Sequence, residues 1–132
     1  MSSAEVRYLK TNFDELLRRL REYAKSKAGT FGARAVVLVG SMAKGNYTGT
    51  SDADVLIIAD QVPKRVIDRY SLFAEPRLPF DLEPHVYTTA EFITKVQQGE
   101  RFALDSLQFG IPLEGEEFFK QLKKSIRARD PR

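Results

Sequence analysis

Apolar residues recur at helical spacing near the start of the chain and then give way to short, unbroken apolar runs. Val6, Leu9, Phe13, Leu16, Leu17, Leu20 and Tyr23 mark one face, and arginines and lysines fill the other. This pattern predicts one amphipathic helix over residues 2–27. Ser2 and Glu5 have the spacing of a capping box at its start, and Gly29 and Gly32 end it. Residues 35–39 are a continuous, valine-rich run that reads as a buried strand. Residues 52–59 form the next strand. Side chains alternate along a strand, so Asp52 and Asp54 share a face while Ala53, Val55 and Ile57 take the other.

Pro63 suits the first turn of a helix running to about Phe73, and Pro76 and Pro79 mark a loop. Residues 80–87 read as a third strand, with Pro84 arguing for an edge or a bulge. Alternation puts Asp81, Glu83 and His85 on one of its faces. Thr88, with Glu91 three residues on, caps a helix carrying Phe92, Ile93 and Val96. That helix continues past Gly99 through Phe102, Leu104 and Leu107 until Gly110 stops it. Residues 111–113 make a minor strand and 116–126 a final helix, whose stripe of Phe118, Phe119, Leu122 and Ile126 suits the core or a partner and is assigned to the core first. The sum is an α/β fold: a small mixed sheet of three or four strands, with helices packed mainly on one side.

Composition narrows the classes. The chain has 132 residues, 42% of them hydrophobic, which fits a single domain over residues 1–132 with a real core. No repeat, linker or low-complexity segment divides it. There are no cysteines and one histidine, His85, which excludes disulfides, thiolate metal sites and a multi-histidine zinc centre. No apolar run is long enough to span a bilayer, and no signal-peptide pattern opens the chain, so a cytoplasmic protein without membrane contact is expected. The net charge is +3, part of it in the tail at Lys120, Lys123, Lys124, Arg127, Arg129 and Arg132. Such a tail reads as a solvated face before it reads as a nucleic-acid arm.

The chemistry concentrates in residues 36–59. Two carboxylates at i and i+2 on a strand have Cα atoms about 6–7 Å apart on one face. Asp52 and Asp54 can therefore converge on hard cations. Magnesium takes one or two carboxylates and completes its shell with water and phosphate oxygens. Gly40 lets the backbone turn tightly beside a ligand. Ser41 and the following N–H groups suit triphosphate oxygens, and Lys44 adds a point charge.

This constellation resembles the nucleotidyltransferase superfamily related to polymerase beta. The resemblance rests on an apolar strand ending in Gly40-Ser41, the continuation Met42-Ala43-Lys44-Gly45, and Ser51-Asp52-Ala53-Asp54 opening a second apolar strand. Lys44 stands where relatives usually carry arginine, which keeps the charge and loses the planar fork. The resemblance implies a third carboxylate on a later strand. Asp81 is the first choice, and Glu83, in Glu83-Pro84-His85, is the alternative. It also implies magnesium as cofactor, two ions held by Asp52, Asp54, Asp81 and Glu83, with manganese as a substitute. Gly40, Ser41, Lys44 and Ser51 would then bind the nucleotide, ATP first among the NTPs.

The length adds a subclass. Larger members carry domains for a primer, a tRNA or an antibiotic, so the chain resembles a minimal nucleotidyltransferase, a type often paired with a helical HEPN-domain toxin. The resemblance then implies transfer of AMP to a tyrosine of that partner. Two other readings stand beside it. One is a partner-binding antitoxin or nucleotide-sensing module without turnover, and the other is an RNA-end nucleotidyltransferase.

Overall fold

The computed structural model describes residues 12–46 and 52–129. The predicted Ser2–Glu5 capping box, Ser51 and the last residues of the basic tail lie outside them. The elements run α1 (Phe13–Phe31), β1 (Ala35–Val39), α2 (Gly40–Lys44), β2 (Ala53–Ile58), α3 (Val66–Phe73), β3 (Leu82–Tyr87), α4 (Thr89–Gln97), α5 (Arg101–Phe109), β4 (Ile111–Glu114) and α6 (Glu116–Arg129).

The four strands form one mixed sheet in the order β3-β2-β1-β4. β1 pairs antiparallel with both β2 and β4, whereas β2 and β3 run parallel. All five residues of β1 are buried, as expected of a central strand covered on both sides. β3 lies at the edge, where Pro84 can lack its ladder donor at little cost.

Alternation along the strands separates two cores. On one face, Leu16, Leu20, Tyr23 and Ala24 of α1 pack on Val36, Leu38, Val55 and Ile57, with Phe73 of α3 and Phe80 joining them. On the other, Phe92 and Val96 of α4, Ala103 of α5, and Phe119, Leu122 and Ile126 of α6 pack on Val37, Val39, Leu56 and Ile58. Met42 of the short α2 joins the first core, so three helices contribute to each, but only α1 and α3 are full helices on the first face against α4, α5 and α6 on the second. The tail stripe assigned to the core is in the core.

Several boundaries depart from the sequence expectation. A helix running unbroken from residue 2 does not form: Asn12 is extended, and its side chain accepts the Glu15 N–H as an N-cap for α1. Asparagine competes for backbone donors in this way, and Asp14 and Glu15 then favour a helix start. At the other end α1 passes through Gly29 and stops at Gly32, which is left-handed at φ 68°. α3 begins at Val66, three residues after Pro63. The Arg69 guanidinium takes the Pro63 and Lys64 carbonyls (2.5 and 3.3 Å), removing them from any helical ladder. The long helix expected after Thr88 is two helices, broken at Gly99 (φ 74°). Its capping box is formed in full, with the Thr88 hydroxyl and the Glu91 carboxylate each accepting the other's backbone N–H. Among the described residues no helix is long and apolar enough to cross a membrane.

Candidate active site

β1 ends at Val39, and the chain turns at once into α2. Gly40 sits at φ 72°, a conformation that L side chains rarely adopt. A Cβ on Gly40 would lie 2.6 Å from Asp54 Oδ2. The bare backbone therefore leaves the space that the Asp54 carboxylate fills. The β1–β2 register sets this approach, because Asp54 is the antiparallel partner of Val39. Gly45, at φ 80°, closes α2 as its C-cap.

The other oxygen of Asp54 faces His85, with Nε2···Oδ1 at 3.1 Å. The His85 ring stacks on Phe102 of α5 at a centroid separation of 4.5 Å. Asp54 is thus held between a glycine and an imidazole, and the imidazole is itself braced by an aromatic ring. Asp54 and His85 are each about a third exposed, so the carboxylate remains open to a ligand.

The parallel β2–β3 register pairs Asp54 with Glu83 and Leu56 with His85. Glu83, not Asp81, is therefore the direct cross-strand neighbour of Asp54. Asp81 lies one residue before β3, where its carbonyl accepts the Ala53 N–H at 2.8 Å. Asp52, Asp81 and Glu83 line a common cleft of about 480 Å³ at the sheet edge, bounded also by Tyr70, Glu75 and Phe80. Of the carboxylates expected to work together, Asp52, Asp81 and Glu83 share this cleft, and Asp54 adjoins it through its pairing with Glu83.

Lys44 does not point to open space. Its Nζ pairs with Asp105 Oδ2 at 2.8 Å and lies 5.2 Å from the Phe109 ring centroid. Ser41 is half-buried at the start of α2. Sequence reading missed Phe102 and Asp105, which α5 brings to His85 and Lys44. Their spacing of i, i+3, with Phe109 four residues further, puts them on one helix face. The sequence pattern shows Phe102 only as part of an apolar stripe with Leu104 and Leu107. In the fold Ala103 and Ser106 point inward, and Leu104 is exposed.

The donor set suits a hard cation bound through one or two carboxylates with water and phosphate completing the shell. It does not form an all-protein cage. Among the described residues no three histidine or carboxylate groups converge closely enough to enclose a metal.

The geometry joins a Gly-Ser turn to a carboxylate strand in the order seen in the sequence. A family model for the nucleotidyltransferase domain matches residues 17–127. The chain belongs to that family. The match takes in every described element except the first turn of α1 and the end of α6, so the fold and the general chemistry of nucleotidyl transfer go together here. Comparison with curated proteins and with solved structures gives no match.

Proposed function

We propose that this nucleotidyltransferase domain is magnesium-dependent and moves a nucleoside monophosphate, AMP from ATP in the first instance, to an acceptor hydroxyl. The observation that carries the reading is Asp54, seated against Gly40, bonded to His85 and paired in register with Glu83. Asp52 and Asp54 would hold the cation, with Glu83 favoured over Asp81 as the third carboxylate because it neighbours Asp54. Bound there, magnesium would neutralise charge on the triphosphate and on the departing pyrophosphate.

The chain's own groups supply the rest. Gly40 gives the triphosphate close access to backbone. Ser41 offers a hydroxyl and Lys44 a charge, the latter after leaving Asp105. The cleft bounded by Asp52, Asp81 and Glu83 receives the acceptor, and Asp81 or Glu83 accepts its proton. Positioning and charge neutralisation account for most of the rate in such transfers.

The acceptor proposed from the resemblance is a tyrosine of a helical HEPN-domain partner, which would make the domain an antitoxin acting in the cytoplasm. A second reading, neutralisation by contact alone, is favoured by Val66 and Ile67, large apolar residues exposed at the start of α3. Calorimetry of ATP with magnesium on the wild type and on Asp52→Asn tests the main proposal. Binding that requires both the metal and Asp52 supports it. Failure to bind any of the four NTPs rejects it and leaves contact as the working mode.

A further inference from the structure

The cleft beside the carboxylates has a wall supplied by α3. Tyr70 stands on that wall, 42% exposed. Its phenol is the only hydroxyl among the described residues that line the cleft. It makes no hydrogen bond to another described residue, unlike Tyr23, whose hydroxyl is spent on the Phe73 carbonyl at 2.5 Å. Glu75, the other nucleophile on that side, is engaged by Arg77 at 2.7 Å. Asp52, Asp81 and Glu83 line the same cleft. A free nucleophilic hydroxyl therefore shares a cleft with the carboxylates assigned to phosphoryl transfer.

We propose that Tyr70 is an acceptor of the domain's own reaction, a site of self-nucleotidylylation in which the phenol oxygen takes a nucleoside monophosphate from the bound NTP. The inference rests on the transferase reading given above. In the step, Tyr70 Oη bonds to the α-phosphorus. The bond from that phosphorus to the oxygen bridging to the β-phosphate breaks, and pyrophosphate leaves with the electron pair. The phenolic proton passes to Asp81 or Glu83 and then to water. The product carries a phosphodiester on the cleft wall, where its bulk and negative charge stand against Asp52, Asp81 and Glu83. Self-modification would therefore close the site to further acceptors.

The whole chain is incubated with ATP and magnesium, and intact mass, peptide mapping and pyrophosphate release are followed together. The expected result is one adenylyl group on the peptide containing Tyr70, formed with a first-order rate constant independent of protein concentration. Tyr70→Phe keeps the ring, and with it ATP affinity by calorimetry, but loses the adduct. An adduct that persists in Tyr70→Phe, or maps to another residue, overturns the inference. So does an observed rate constant that rises with protein concentration, since a second chain would then supply the phenol. Pyrophosphate release with label passing to an added hydroxyl acceptor, and none to Tyr70, overturns the inference while leaving the transferase reading standing. Absence of both ATP binding and pyrophosphate release rejects the transferase reading itself, and the self-modification with it.

Discussion

The carboxylate of Asp54 occupies the place where a side chain on residue 40 would be: a Cβ there would sit 2.6 Å from Oδ2. Glycine is thus required twice, once for its φ of 72° and once for the space it leaves. Gly40→Ala is expected to shift Asp54 while preserving the fold. Strain from the left-handed backbone should cost about 1–2 kcal/mol. Misplacement of a reacting group by an ångström can cost about 10²-fold in rate, and a loss of that order is expected. Circular dichroism and single-turnover transfer, measured on the same sample, check both parts.

His85 contributes by orienting Asp54. Partners of this kind are worth about 10–100-fold in metal affinity when removed. His85→Ala should weaken magnesium-dependent ATP binding within that range, while His85→Gln, which retains a donor, should restore part of it. Titration calorimetry at fixed ATP and varied magnesium distinguishes this from a general loss of fold. An unchanged magnesium dependence would remove His85 from the site.

Lys44 is held by Asp105 across 61 residues of chain, and a phosphate has to compete with that carboxylate. A partly exposed ion pair contributes about 0–1 kcal/mol, so Asp105→Asn should tighten ATP binding by at most about fivefold. Lys44→Ala should weaken it and flatten its dependence on salt. If Asp105→Asn weakens binding instead, the carboxylate aims the lysine.

Arg69 is nearly fully buried, and Glu91 answers it through two contacts at 2.7 and 3.2 Å. The guanidinium hydrogen bonds, helped by the Thr88 backbone N–H and opposed by burial, hold the Glu91 carboxyl below its ordinary value of 4.5. The folded pKa is depressed, so the stability from this pair is complete above pH 4.5 and is lost as pH falls through the folded value. Glu91 is partly exposed, which screens the pair to about 1 kcal/mol. Glu91→Gln should lower Tm near neutrality by about 3–5 °C and flatten its fall in acid. Thermal melts between neutral pH and pH 3 measure the difference.

What the sequence made legible was whatever short-range pattern controls. The valine run of β1, the Asp-x-Asp strand and the Thr88–Glu91 cap depend on neighbours within a few positions, and they stand where expected. Pro84 correctly marked an edge. Alternation treats Asp81 and Glu83 alike, and only the β2–β3 register makes Glu83, rather than the favoured Asp81, the cross-strand neighbour of Asp54. Asp105 was equally hidden, since its role comes from a long-range meeting with Lys44. The late start of α3 has a local cause that propensity does not register: the guanidinium of Arg69, on α3 itself, folds back five and six residues to claim the Lys64 and Pro63 carbonyls.

α3 has eight residues, too few to persist alone in water. Its last carbonyls are taken from behind by α1, with Tyr23 donating to Phe73 and Lys27 to Leu72 at 3.0 Å. The wall that carries Tyr70 therefore owes its shape to the helix packed beside it on the same face of the sheet. Amide exchange along residues 70–74 becomes a gauge of α1 docking. Any ligand or partner that loosens α1 would also unfasten the acceptor side of the cleft without touching a carboxylate.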